Sequence, residues 1–131
     1  NNMKRITLQE AFDKIWTWFI INKHNPSLKE HRCRYRSGNN RCAYGVLIPD
    51  ALYKPEMETV LGEDLVKYFP YLKIYIPNIR SDKHYDLQFC HDRSAHISLG
   101  KKTIFLKEIT KRLVQFAKDH RLHISSSITK K

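Results

Sequence analysis

Cys33-Arg34-Tyr35-Arg36-Ser37-Gly38-Asn39-Asn40-Arg41-Cys42-Ala43-Tyr44-Gly45-Val46-Leu47-Ile48-Pro49-Asp50 holds two cysteines, two tyrosines, three arginines and a turn, with Arg32 just before it as a fourth arginine. Ser37-Gly38-Asn39-Asn40 is turn-forming, because glycine and asparagine tolerate positive φ. With those four residues as the loop, the spacing predicts a β-hairpin in which Arg36 faces Arg41, Tyr35 faces Cys42 and Cys33 faces Tyr44. Side chains alternate along a strand. Cys33, Tyr35, Cys42, Tyr44 and Val46 then share an apolar face. Arg32, Arg34, Arg36 and Arg41 share a cationic one beside Ala43 and Gly45. Like charges opposite each other are destabilising, so Arg36 against Arg41 calls for a loose turn or an anion.

Upstream, Thr7-Leu8-Gln9-Glu10 reads as a capping box that starts a helix. Leu8, Ala11, Phe12, Ile15, Phe19 and Asn22 follow at helical spacing, with Trp16, Trp18 and Ile20 widening the apolar surface. Asn25-Pro26 is expected to end it. Downstream, Pro49 to Tyr53 reads as a short helix capped by Asp50. A second short helix is expected over about Glu63 to Phe69, stopped by Pro70. Tyr71 to Ile76 reads as an edge strand or extended segment between two prolines. Helices are expected over Asp82 to Arg93, with Leu87, Cys90 and His91 on one side, and over Thr103 to Asp119, with Leu106, Ile109, Leu113, Phe116 and Ala117 facing in. The fold class is therefore α+β: a mainly helical single domain, residues 3–124, with one hairpin and a possible third edge strand on the helices. Residues 125–131 read as a loose polar tail.

At 131 residues, with 41% apolar and 28% charged residues, the chain has the composition of one globular domain. No apolar run is long enough to cross a bilayer. Met3 reads as the natural start, Asn1 and Asn2 as additions, and no export signal is seen. Three cysteines without such a signal suggest free thiols in a reducing cytoplasm. Lys and Arg outnumber Asp and Glu by 24 to 13, a formal charge of +11. That excess favours a polyanionic partner: nucleic acid, a nucleoprotein or an acidic protein.

Cys33-x-Tyr35-Arg36, then Cys42-Ala43-x-Gly45-x-Leu47-Ile48-Pro49-Asp50-x-x-Tyr53, resembles a group of small phage and bacterial proteins. The likeness extends to an acidic position at Glu58, to the Leu-Gln-x-x-His-Asp run of Leu87 to Asp92, and to Phe116-Ala117 in the final helix. The resemblance implies no reaction. It implies a mobile-element setting, in which small proteins bind host nucleic acid or disable host defence complexes.

Three constellations could carry chemistry. Arginine forks match phosphate and carboxylate in two-pronged fashion, so Arg32, Arg34, Arg36 and Arg41 form the first candidate binding surface. Lys107, Lys111 and Lys118 lie on one side of the final helix and form the second. Cys33, Cys42, Cys90 and His91 are of metal-ligating type, and Cys42 or Cys90 with His91 could serve a small hydrolase. No Cys-x-x-Cys knuckle is present, and Cys90, His91 and Asp92 point about 100° apart on a helix, so they cannot form a triad by themselves. The preferred reading is a basic, non-enzymatic binding protein without cofactor. It engages nucleic acid or a host nucleoprotein complex. An inhibitor of an acidic host surface and a Cys/His hydrolase are the alternatives.

Overall fold

The computed structural model describes residues 4–30, 32–78 and 87–124. The first helix, α1 (Leu8–Trp16), continues through a π-helical turn over Thr17–Ile21. The capping box forms: Thr7 Oγ1 accepts the Glu10 N–H at 3.1 Å, and Glu10 Oε1 accepts the Thr7 N–H at 2.9 Å. Accepting the Thr7 N–H, and then a bond with the Thr7 side chain, holds the Glu10 carboxyl below its usual pKa. Ala11, Phe12, Ile15, Trp16 and Phe19 are buried, while Asn22 is exposed and Trp18 lies half-buried at the edge. The helix stops at Ile21, before the expected Asn25-Pro26, and Lys23 follows with positive φ.

The hairpin region departs from the expected single ladder. Two short antiparallel pairs form instead. β1 (Leu28–Lys29) pairs with β2 (Arg32–Cys33), placing Leu28 opposite Cys33 and Lys29 opposite Arg32. β3 (Arg36–Ser37) pairs with β4 (Asn40–Arg41), placing Arg36 opposite Arg41. The loop is the two-residue Gly38-Asn39, tighter than the expected four, with Gly38 at φ +61°. Past Arg41 the chain leaves extended geometry and enters α2 (Ala43–Leu47). The reason is local. Cys42 caps this helix, its sulphur accepting the Gly45 N–H at 3.4 Å, so one turn of helix is closed where the hairpin was expected to run on.

Three 3₁₀ turns follow, Asp50–Leu52, Pro55–Thr59 and Gly62–Asp64, then α3 (Leu65–Tyr68). Asp50 is the first residue of its turn, not the expected side-chain cap; its carboxylate is engaged elsewhere. Tyr71 to Ile76 is not a strand. Pro70–Tyr75 winds as a 3₁₀ helix with Leu72 buried. Its backbone polar groups bond within the turn, as in Leu72 N–H to Phe69 O at 2.9 Å, and to the N-terminal segment, as in Ile6 N–H to Ile74 O at 2.8 Å.

The last two helices are α4 (Leu87–Ser98) and α5 (Lys102–Asp119), joined by a turn at Leu99-Gly100 in which both residues have positive φ. The short connection makes them a helical hairpin. The expected 82–86 portion of α4 and the 125–131 tail lie outside the described residues. In the core, Phe12 stacks 5.8 Å from Trp16 and 6.4 Å from Phe116, and Phe19 meets Phe105 edge-on at 5.5 Å. Each such side chain, once fully buried, contributes about 1.5–3 kcal/mol. The result is a mainly helical α+β fold with two minimal hairpins at one edge.

Candidate anion-binding surface

The four hairpin arginines separate into two pairs. Arg36 donates from Nη2 to Ile48 O at 2.6 Å, and its Nη1 lies 2.8 Å from Asp50 Oδ1. Its guanidinium also lies 5.1 Å over the Tyr53 ring. It closes the carbonyl end of α2, where a helix leaves acceptors unsatisfied. Arg41 donates to the same Asp50 oxygen at 2.9 Å and lies 4.7 Å over Trp18. The anion that the Arg36–Arg41 register demands is therefore the chain's own Asp50. These two do not belong to an open four-arginine face, which corrects that expectation.

Arg32 and Arg34 differ. Arg32 is exposed and lies opposite Lys29. Glu58 lies 3.7 Å from Arg34 Nε, an electrostatic contact too long for a hydrogen bond. Glu58 is already committed. Its Oε1 accepts the Tyr35 N–H at 2.9 Å, and its Oε2 accepts the Arg36 N–H at 3.0 Å and the Tyr53 hydroxyl at 2.5 Å. Arg34 Nε is buried without a hydrogen-bond partner among the described residues. Arg32, Arg34, Tyr35, Glu58, Gln88 and Asp92 line a cleft of about 470 Å³. Its floor is held by side-chain bonds: Gln88 accepts the Tyr44 N–H at 2.8 Å and donates to Asp92 Oδ1 at 2.9 Å.

His91 and the cysteines do not form a reactive centre. His91 is fully buried between Phe19 and Phe105, each ring 5.6 Å away. Its Nε2 accepts the Ser27 N–H at 3.0 Å, so its proton is on Nδ1 and points at Asp92 Oδ1, 2.8 Å away. Neither nitrogen offers a lone pair, to a thiol or to a metal. Among the described residues, Cys33, His91 and Asp92 are the group whose ligand atoms converge, within 4.8 Å. The hydrogen-bond direction at His91 opposes metal binding there. Cys42 and Cys90 lie outside that group. Burial pushes the Cys33 and Cys42 thiols far above their usual range, against the thiolate that attack or ligation needs. Cys42 is a helix cap, and the Cys90 sulphur lies 3.8 Å from Arg112 O. The described contacts therefore give each of these groups a partner within the fold: Cys33, His91 and Asp92 near one another, Cys42 as a cap and Cys90 beside Arg112 O.

Lys107, Lys111 and Lys118 are exposed on α5. At about 100° per residue they form a stripe opposite the buried Phe105, Ile109, Leu113 and Phe116. Lys111 lies 3.5 Å from Glu108, which also holds Arg112 at 3.3 Å. The stripe faces away from the core, apart from the hairpins.

A stacked pair that the sequence reading did not single out lies next to Arg41. His24 stacks on Trp18 at 3.6 Å, nearly parallel, next to Arg41. Burial, then the charges of Lys102 and Arg41, lower the His24 pKa. Trp18 was assigned to the core by spacing alone.

The positive balance of 24 basic against 13 acidic residues is compounded at several sites where carboxylates already have partners. Glu10, Asp13, Asp50, Glu58, Asp92, Glu108 and Asp119 all accept bonds or ion pairs from the chain itself. The chain matches no protein-family model, no curated protein and no solved structure. No described helix is long and apolar enough to cross a membrane.

Proposed function

We propose that this protein is a non-catalytic binder of nucleic acid or of a nucleoprotein, and that it acts by neutralising backbone phosphates. One observation carries the reading: Arg34, half-buried in a cleft, has a buried Nε without a hydrogen-bond partner among the described residues, its contact to Glu58 being 3.7 Å long. With Arg32 at the same cleft it presents two guanidinium forks suited to phosphate. Lys29 adds a cation across the β1–β2 pair. The α5 stripe of Lys107, Lys111 and Lys118 is a second, separate contact line. Arg36 and Arg41 serve chiefly as scaffold. No base-reading element is invoked, so binding follows charge more than sequence. The mobile-element setting implied by the Cys33–Tyr53 motif suits an inhibitor that occupies the nucleic-acid channel of a host complex.

A second reading is an inhibitor of an acidic host protein. Leu61, 70% exposed at the edge of the same cleft, favours it, because an apolar side chain beside paired cations suits a protein surface.

Fluorescence anisotropy with labelled random-sequence DNA and RNA decides between them. Complex formation at about 50 mM salt, weakening at least tenfold by about 200 mM, is the expected result. No complex with either nucleic acid at low salt overturns the first reading and leaves the second.

A further inference from the structure

The cleft beside β2 carries both signs of charge. Arg32 and Arg34 line it together with two acids, Glu58 and Asp92. Glu58 is satisfied from within, by the Tyr35 and Arg36 amides and the Tyr53 hydroxyl. Asp92 is held by one oxygen. Its Oδ1 accepts from Gln88 Nε2 at 2.9 Å and faces His91 Nδ1 at 2.8 Å. Among the described residues no donor reaches its Oδ2, and the side chain is 34% exposed. Cys33 fixes where this carboxylate stands. The Cys33 sulphur lies within 4.8 Å of the Asp92 carboxylate and 4.0 Å from the Asp92 carbonyl. Arg32 and Arg34 are its chain neighbours, each about 3.8 Å away from Cα to Cα.

A backbone phosphate has acceptors and no donor. Alone it matches the two arginines and leaves Asp92 facing a like charge, which opposes binding. A ligand that suits the whole cleft brings an anion for the arginines and a donor for Asp92. In a nucleic acid the sugar adjoins the phosphate, and ribose carries a 2′-hydroxyl where deoxyribose carries hydrogen. Bases also bring donors, in a pattern that changes with sequence; the sugar is the same in every nucleotide. At about 470 Å³ the cleft has the size of a small-ligand site, roughly 300–1,000 Å³. That admits one nucleotide of a flexible strand and not the side of a duplex.

We infer that this cleft selects unpaired RNA over DNA, with Arg32 and Arg34 on a phosphate and Asp92 Oδ2 accepting the 2′-hydroxyl beside it. The inference rests on the nucleic-acid reading above and names the kind of nucleic acid. Gln88 and His91 are positioning residues: their bonds hold Oδ1 and leave Oδ2 for the ligand.

The test compares three unstructured strands of one sequence by anisotropy at about 50 mM salt: RNA, DNA and 2′-fluoro RNA. Fluorine keeps the RNA sugar pucker and cannot donate a hydrogen bond. RNA is expected to bind about tenfold tighter than either of the others. In Asp92→Asn, whose amide oxygen still accepts from His91 and Gln88, the three should come within about twofold of one another. Equal affinity for RNA and 2′-fluoro RNA, or an RNA preference that survives Asp92→Asn, overturns the inference and leaves the nucleic-acid reading standing. The wild-type comparison needs no variant, so it decides even where Asp92→Asn does not fold. Binding of no strand overturns the nucleic-acid reading. The cleft is then probed with adenosine 5′-monophosphate and its 2′-deoxy form, followed at the Gln88 side-chain amide by NMR. A response to the first and not the second supports the ribose site without that reading; equal responses, or none, overturn it too.

Discussion

Gly45 lies directly against the carbonyl of Tyr35, so close that a Cβ on the glycine would overlap the Tyr35 oxygen. That contact lets α2 follow β4 without a gap. Gly45→Ala must push backbone against backbone, and backbone cannot rotate away as a side-chain tip can. The expected loss is about 3 kcal/mol, read from a urea midpoint shift at unchanged slope. Gly38 makes the control. Its φ is +61° with nothing near its Cβ position, so Gly38→Ala should lose only about 1–2 kcal/mol, from the left-handed backbone alone.

Glu58 is the anchor of the second hairpin. Glu58→Ala strands the Tyr35 and Arg36 amides and leaves Arg34 unopposed, an expected cost of about 3–5 kcal/mol. Glu58→Gln keeps one acceptor and should cost less. Tyr53 reports the same group. Burial first, then the bond to Glu58 and its charge, push the Tyr53 pKa up to about 12 from 10.0. The folded state thus favours the neutral phenol. Its contribution to stability is complete below about pH 10 and is lost as pH rises toward 12. Absorbance titration should show a phenolate midpoint near 12 that moves back toward 10 in Glu58→Gln. A midpoint unmoved by that substitution would separate Tyr53 from Glu58.

Some of this was legible in residue order because it is local. Thr7 and Glu10 are three apart, and their capping box needs no tertiary partner. Arg36 opposite Arg41 follows from the turn residues between them. The partner of those arginines was not legible. Asp50 reaches them only because α2 folds the chain back, and α2 depends on a cysteine acting as cap, an uncommon role beside serine or aspartate. Alternation from Cys42 to Val46 fits a strand as readily as a short helix does, and in so brief a run the cap decides. The functional surface was misread for the same reason. A strand pattern says which side chains share a face; it does not say which carboxylates will arrive there. Trp18 and Arg41 are far apart in sequence, and nothing in helical spacing marks them as a ring and its cation.

The thiols should be nearly inert in the native state. Burial is the first cause raising both Cys33 and Cys42, and Asp92 adds to each. Reaction with a thiol reagent at pH 8 is expected to be slow when folded, with Cys33, the half-buried one, reacting first. All three should react at once in denaturant. Cys42→Ser should fold with stability within about 1 kcal/mol of wild type, since a serine oxygen caps the same Gly45 amide. Fast stoichiometric labelling of Cys42 in the folded protein would reopen a nucleophilic role.

The arginines give the sharpest division, because two pairs of one residue type, close in sequence, are assigned opposite work. Arg36 is largely buried, bonded to Ile48 O and paired with Asp50. Arg36→Ala should therefore cost about 2–4 kcal/mol, and Arg36→Lys should not restore it, since a single ammonium cannot span both partners. Arg41 shares an Asp50 that is 74% exposed, so its ion pair contributes less than about 1 kcal/mol. Arg32→Gln and Arg34→Gln should reverse the pattern. Among the described residues the Arg32 side chain makes no hydrogen bond or ion pair, and the Arg34 side chain makes the long contact to Glu58. Their expected effect on stability is below about 1 kcal/mol, while the double substitution weakens nucleic-acid binding roughly tenfold and flattens its salt slope by about two. Paired urea and anisotropy measurements on the same variants check both halves. If the Arg32 and Arg34 substitutions unfold the protein, or leave binding and its salt slope unchanged, the cleft is not where the phosphates sit.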